Sequence, residues 1–239
     1  MIAQKYNVRF AAGSADLQAA QDLRARLFRD DRPDADPFDS ICRHVLVEDR
    51  AGVLVCCFRL LEIANGGQIG QSYSAQYYEL SGLFDFTGPM IEMGRFCIDP
   101  GRSDPDVLRV AWGFVASYVD QAGIELLFGC SSFAGTSEAA YLDAFSLLKE
   151  RHLAPKRWLP RVKAPRVFPF ARKLRLCRPD LKAAMRAMPP LLRTYLLMGG
   201  WVSDHAVVDR DLDTLHVFTG LEIRAIPPAR KKFLLSVAG

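Results

Sequence analysis

Between Ile91 and Thr136 an apolar segment runs through a turn-rich loop at Asp99–Asp106 into a strongly periodic helix, which returns to a second apolar strand at Leu126–Cys130. Val107, Val110, Ala111, Phe114, Val115 and Tyr118 fall on one side of a 3.6-residue helix,. A strand, loop, helix and return strand need a sheet with a helix lying across it. This stretch therefore commits the chain to an α/β architecture, with strands and helices alternating around one sheet.

The rest of the chain fits that frame. Asp16–Asp30 carries Leu17, Ala20, Leu23, Leu27 and Phe28 at amphipathic helical spacing, with Ser14 as N-cap,. Asp31–Ser40 is rich in Asp and Pro and reads as a loop. His44–Glu48 and Val53–Leu61 read as strands joined by a turn at Asp49–Gly52,. A short helix is expected over Ser74–Leu83, longer ones over Ser137–Arg151 and Pro179–Met188, and a helix or sharp turn from Leu191 to Gly200. His216–Glu222 and Lys232–Val237 read as late strands or extended tails.

With 239 residues, half of them hydrophobic and 24% charged, the chain is globular and large enough for one sizeable core with a smaller appendage,. The runs Val53–Phe58 and Leu191–Trp201 are too short or too interrupted to span a bilayer,. Met1–Ala12 holds no signal-type apolar region, so a cytoplasmic protein is expected. The six cysteines form no CxxC pair and have no His at metal spacing, so no metal site is expected and the thiols read as reduced and structural,.

The net charge of +4 conceals an asymmetry. Arg151–Pro179 contains ten Lys or Arg and no acid, which leaves 21 basic against 27 acidic residues elsewhere. A block this one-sided suits a polyanionic partner: nucleic acid, an anionic membrane surface or an acidic protein. The plain alternative is a solvated basic face. Against nucleic acid, the block offers only Trp158, Phe168 and Phe170 as stacking platforms,. The expected division is a core over 1–150, with 151–239 as a basic C-terminal extension packed on it.

Several charged residues fall where apolar ones would be ordinary. Arg59 interrupts the strand VLVCCFRLL, where a lone charge is costly unless paired,. Arg24 projects from the first helix towards the same region. Asp36 and Asp39 flank Phe38 and could bind a cationic substrate or cap a turn,. Glu92 and Arg95 are three apart, on opposite faces of an ideal strand, so only a bulge would align them. A glutamate facing a cleft can take a proton from an ammonium nucleophile, and an adjacent arginine keeps it ionised; the spacing alone favours an ordinary buried ion pair. Gly129-Cys130-Ser131-Ser132 is not a nucleophile elbow, and no Walker, dinucleotide or HExxH motif is present,.

Taken in order, Arg24-x-x-x-Phe28, Asp36-Pro-Phe38-Asp39, Phe58-Arg59-Leu60-Leu61 and Glu92-Met-Gly-Arg95 resemble the acyl-carrier-protein-using branch of the GNAT superfamily. Acyl-homoserine lactone synthases share this sparse order. The fuller resemblance is to the L-ornithine N-alpha-acyltransferases, through DPFDSICRH, Glu92–Pro100, LFGCSSFAGT, His152-Leu-Ala-Pro155 and PPLLRTYLLMGGWVSDHAVV. It implies a GNAT-like fold, with a central mixed twisted sheet flanked by helices, that moves a 3-hydroxyacyl group from acyl carrier protein to the alpha-amino group of ornithine. By the same resemblance Glu92 is the base or water-positioning residue, with Arg95 beside it. Arg59 and Arg95 position the donor or the amino-acid carboxylate. Asp36 and Asp39 organise the acceptor pocket, and Arg24 and Phe28 belong to the same substrate-binding set.

The region Gly70-Gln-Ser-Tyr73-Ser74-Ala75 departs from the family in lacking an acid, which leaves glutamine open as acceptor beside ornithine. An autoinducer synthase is the second enzymatic reading, and a basic nucleic-acid module the non-enzymatic one. Coenzyme-A-using relatives grip pyrophosphate with backbone amides of a Gly-rich loop at a helix N-terminus. Here that loop, Pro100–Asp106, has two prolines and two aspartates among its seven residues. No cofactor is therefore expected; acyl carrier protein, a small acidic protein, would deliver the acyl group and dock on Arg157, Arg161, Lys163 and Arg166. The same block could meet an anionic membrane.

Overall fold

The computed structural model describes residues 5–102 and 104–238. In chain order the first elements are β1 (Tyr6–Phe10), α1 (Ser14–Phe28), β2 (Arg43–Asp49), β3 (Leu54–Ile63), β4 (Tyr78–Glu79), β5 (Met90–Ile98) and α2 (Pro105–Gln121). Next come β6 (Leu126–Ala134), α3 (Leu142–Arg151), β7 (Arg161–Val162), β8 (Val167–Phe168), α4 (Phe170–Lys173), α5 (Leu181–Ala187) and α6 (Pro190–Leu197). The chain continues through β9 (Trp201–Val202), β10 (Ala206–Asp209) and β11 (Thr214–Glu222) to α7 (Pro228–Ala238).

Two compact units interleave along the sequence: one of residues 1–62, 91–125 and 227–239, the other of 63–90 and 126–226. The boundary expected at residue 150 falls inside the second unit. Its cause is long-range pairing, since β11 lies antiparallel to β6 through the whole register from Thr214↔Ala134 to Glu222↔Leu126. Of what was read as an extension, residues 151–226 supply that unit's β7 to β11.

In the first unit β1 pairs antiparallel with β2, β2 with β3, and β3 lies next to β5. The register sets His44 opposite Arg59 and Leu46 opposite Cys57, so period-two alternation puts all four on one face,. α1 covers that face with Ala20 and Leu23, packed against Leu46, Cys57 and Cys97. The other face carries Phe10, which meets Phe114 and Tyr118 of α2 at 5.1 and 5.5 Å, and Phe58, stacked on Phe96. α2 starts where its sequence says it should: Asp104 caps it through the Asp106 N–H, and Pro105 takes the first position, where no N–H is needed,.

In the second unit Phe133, Leu215 and Val217 form one core with Ala144, Phe145 and Leu148 of α3 and Leu192 of α6. The opposite face holds Phe128 and Phe218, with Trp201 stacked on Phe218 and Tyr78 against His216. The prolines expected to break the basic segment do so: its only helix is the four-residue α4,.

Three expectations fail, and one strand had none. Gly13, not Ser14, takes the N-cap position of α1, and Ser14 is its first helical residue. β1 lies in a segment that carries no sequence-level assignment. Ser74–Leu83 forms two 3-10 turns around the two-residue β4 instead of one helix, because Tyr78 and Glu79 pair with Val162 and Arg161 of β7. Lys232–Val237 lies inside α7, where packing against α2 buries Leu234, and Pro228 starts the helix. Among the described residues no helix is long and apolar enough to cross a membrane.

Candidate active site

On α1, Ala20, Leu23, Arg24, Leu27 and Phe28 form a single stripe, so Arg24 occupies a core-facing position,. On β3, Arg59 follows Cys57 on the face that α1 covers. Two guanidinium groups are thereby driven into the helix–sheet interface, where an unpaired charge would be prohibitively costly. The Asp-rich loop after α1 supplies the counter-charges.

Those charges close into a ring. Asp34 accepts from Arg24 Nε at 2.7 Å, and Arg24 Nη1 donates to Asp39 at 2.7 Å. Asp39 also accepts from Arg59 Nη1 at 2.7 Å, and Arg59 holds Asp36 through two bonds of 2.7 and 2.9 Å. Asp36 accepts from Arg95 Nη2 at 3.1 Å, and Arg95 Nε returns to Asp34 at 3.1 Å. Three arginines alternate with three aspartates, so the ring is electrically neutral. Arg24 also donates to the Asp34 carbonyl at 2.6 Å and is directed wholly inward. Arg29 reaches the outer oxygen of Asp34 at 3.3 Å, and Gln21 donates to Asp39 at 2.9 Å.

Local rules set much of this geometry. Asp36 caps a 3-10 turn over Pro37–Ser40 through the Phe38 N–H, while the Asp39 carboxylate accepts from the Asp36 N–H, a reciprocal capping box,. Turn-capping and charge-pairing, alternatives in the sequence, are served by the same two side chains. On β5, Arg95 takes a left-handed backbone at φ +52°, an irregularity inside a strand,. Ideal two-residue alternation is not expected to hold through such a residue.

Burial grades the ring. The Asp34 side chain is 1% exposed and that of Asp36 is 18%, so the ring meets solvent chiefly at Asp36. Burial by itself would raise the Asp39 carboxyl, but hydrogen bonds from Arg24, Gln21 and Arg59 outweigh it and hold the group well below the usual carboxylate range,. For Asp34, too, burial is outweighed, chiefly by the charge of Arg95 and the Arg24 bond. His44 donates from Nε2 to the Asp39 carbonyl at 3.0 Å, and burial lowers its pKa, so it is neutral at pH 7.

Glu92 is buried on β5, and its charge reaches the Cys42 thiol together with those of Arg59, Asp36 and Asp39. Burial pushes that thiol up to about 12, so Cys42 stays protonated at neutral pH and is no nucleophile,. Of the sequence-selected residues, Arg24, Asp36, Asp39, Arg59 and Arg95 converge in the ring, and Glu92 lies within electrostatic reach of the same thiol as three of them. Phe28 instead packs against the apolar cluster of Leu23, Cys57 and Cys97. Asp34 carried no signal beyond its place in an Asp-Pro loop. A search for counter-charges to Arg24 and Arg59 would have found it.

In the other unit Arg157, Arg161, Lys163 and Arg166 are all exposed. Arg157 lies over the Trp158 ring and 3.7 Å from Glu222; Arg161 is 3.7 Å from Glu79. Lys163 donates to the Ala75 carbonyl at 2.6 Å.

Residues 19–113 match the acetyltransferase (GNAT) domain family. The fold is similar to that of FeeM, an N-acyl amino acid synthase from uncultured soil microbes, with a TM-score of 0.50 and 11% identity over 92% of each chain. This is a protein of the GNAT acyltransferase class. In sequence it is 30% identical to the L-ornithine N(alpha)-acyltransferase of Rhodobacter capsulatus, over 95% of this chain and 94% of that one. The L-ornithine N(alpha)-acyltransferase of Brucella abortus is 31% identical over 92% of this chain and 85% of its own. The chain belongs to the L-ornithine N(alpha)-acyltransferase family.

Proposed function

We propose that this chain acylates the alpha-amino group of ornithine with a 3-hydroxyacyl group delivered by acyl carrier protein. The observation that carries the reading is the closed Arg–Asp ring, whose Arg95 shares a strand with Glu92, in a chain of this family. In the reaction the neutral amine attacks the thioester carbonyl, a C–N bond forms and the C–S bond breaks. Glu92 takes the ammonium proton directly or through one water, and the carrier thiolate leaves and is reprotonated. Arg59 and Arg95, paired with the ring's aspartates, act by holding Asp36 in place,. Asp36, the ring member most open to solvent, is the natural contact for the acceptor's cationic groups. The fold's contribution is chiefly positioning.

Carrier-bound donor is supported by the N-terminus of α2. Asp104 already caps it and bonds to Lys5 and, at 2.8 Å, to Tyr6, so an incoming pyrophosphate would meet a carboxylate there,. Ser103 of the expected loop lies outside the described residues. Exposed Arg157, Arg161, Lys163 and Arg166 suit an acidic carrier, and the basic segment as a whole suits contact with an anionic membrane.

Expression in a host free of aminolipids, followed by mass spectrometry of extracted lipids, tests the reading. A lyso-aminolipid with an ornithine headgroup is expected; a glutamine headgroup would correct the acceptor, and no aminolipid would overturn the function. Glu92→Gln should lower kcat by roughly 10²–10⁴-fold with folding intact. Charge reversal at Arg157, Arg161 and Arg166 should raise KM for acyl carrier protein far more than for ornithine.

A further inference from the structure

Arg172–Arg186 contains six Lys or Arg and a single acid, Asp180. That acid is taken up by the helix end, accepting the Lys182 and Ala183 N–H groups as the cap of α5, while its own N–H bonds to Asp143 of α3. The cations are therefore not neutralised within the segment. Interspersed with them are large apolar side chains turned to solvent: Leu176 at 84% exposure, Leu181 at 46% and Met185 at 42%. Leu181 and Met185 are four apart on α5 and share its outer face. The inner face of the same helix is buried through Ala184, with Met188 just beyond its end.

Leu176 is not exposed for want of order. Lys149 of α3 donates to the Leu174 carbonyl at 2.9 Å and the Cys177 carbonyl at 2.8 Å, clamping the backbone on either side of it. With Asp180 tied to Asp143, the segment is anchored at two points of α3 six residues apart. The chain thus displays leucine among arginines and pays the hydration cost of doing so.

We infer that Arg172–Arg186 is an interfacial membrane-contact surface that seats on anionic phospholipid. Cations draw such a surface to lipid headgroups, and apolar side chains between them enter the headgroup–acyl boundary. An acidic protein would satisfy the cations but leaves the protruding Leu176 unexplained. The inference deepens the function proposed above and rests on it only in one respect: an acylated amino-acid product partitions into a bilayer. Bound here, the enzyme would release that product where it dissolves.

The test is co-sedimentation of the full chain with vesicles of phosphatidylglycerol and phosphatidylethanolamine, against vesicles of phosphatidylcholine alone. Binding to the anionic vesicles, reversed by salt, is expected. The double variant Leu176→Asp, Met185→Asp should weaken it by roughly tenfold or more, as should Arg175→Gln with Arg178→Gln. Acyl-transfer kinetics in vesicle-free solution should be unchanged in both. Repeating the sedimentation with Glu92→Gln keeps the result independent of catalysis. Absence of binding by the unaltered chain would overturn the inference. So would unchanged binding by the Asp variant, and a raised KM for acyl carrier protein in that variant would reassign the surface to a protein.

Discussion

Arg95 donates from Nε to the Asp34 carboxylate at 3.1 Å while its own backbone sits in the left-handed region at φ +52°. One residue therefore combines a locally unfavourable backbone with the bond that closes a ring of charges. The loop acid stabilises the strand irregularity, and the irregularity brings Arg95 to the loop. Each explains the other's presence.

Removing Asp34 should be costly because it leaves Arg24 and Arg95 buried with too few partners. Asp34→Ala is expected to lower stability by about 3–5 kcal/mol, and Asp34→Asn by less. Asp36→Asn, at the exposed side of the ring, should cost less stability and act mainly on KM for the amino acid. Urea midpoints and steady-state kinetics of the three variants check the order; equal losses of stability would contradict the graded burial.

The backbone of Arg95 makes a prediction that runs against ordinary strand preference. Gly is normally worse than Ala inside a strand, but only Gly adopts a left-handed backbone without penalty. Arg95→Gly should therefore be more stable than Arg95→Ala by about 1 kcal/mol. The reverse order in thermal melts would mean the irregularity relaxes when the guanidinium is gone.

Burial, with a smaller contribution from nearby His205, lowers the pKa of His216 to about 3. The unfolded chain, near the ordinary value of about 6.5, then binds the proton more readily than the folded one across that window. Stability should fall as pH drops from about 6.5 towards 3, by up to about 1.4 kcal/mol per pH unit from this group. His216→Phe should flatten that slope by one proton's worth, read from urea midpoints at pH 7, 6 and 5. An unaltered slope would show that His216 is not buried as a neutral ring.

Lys149 holds the carbonyls of Leu174 and Cys177. Lys149→Met should loosen the segment between them without disturbing the ring of the other unit. Trypsin cleavage after Arg175 should then quicken several-fold at unchanged acyl-transfer rate. Unchanged cleavage would mean the segment is held by other contacts.

Two features of the site could be read locally and one could not. The Asp-Pro-Phe-Asp turn is legible because a capping box is a four-residue device. Arg24 and Arg59 stand out because each breaks an apolar pattern at a core-facing position. Asp34 looks like any loop acid, and its role depends on residues 10 and 61 positions away. The misread C-terminal segment has the same origin: Phe233-Leu234-Leu235 fits a strand or a helix, and packing against α2 decides it.

By itself the sequence determined the α/β class, the place of the long helices α1 and α2, the broken basic segment and the charged residues that would need partners. Those depend on caps, prolines and periodicity acting over a few residues. Tertiary structure alone decided that three arginines and three aspartates share one neutral ring, that β11 draws the chain's last third onto β6, and that Leu176 stays in solvent. Each rests on pairing between distant residues, where burial makes an unmatched charge or strand edge more costly than any local preference can offset.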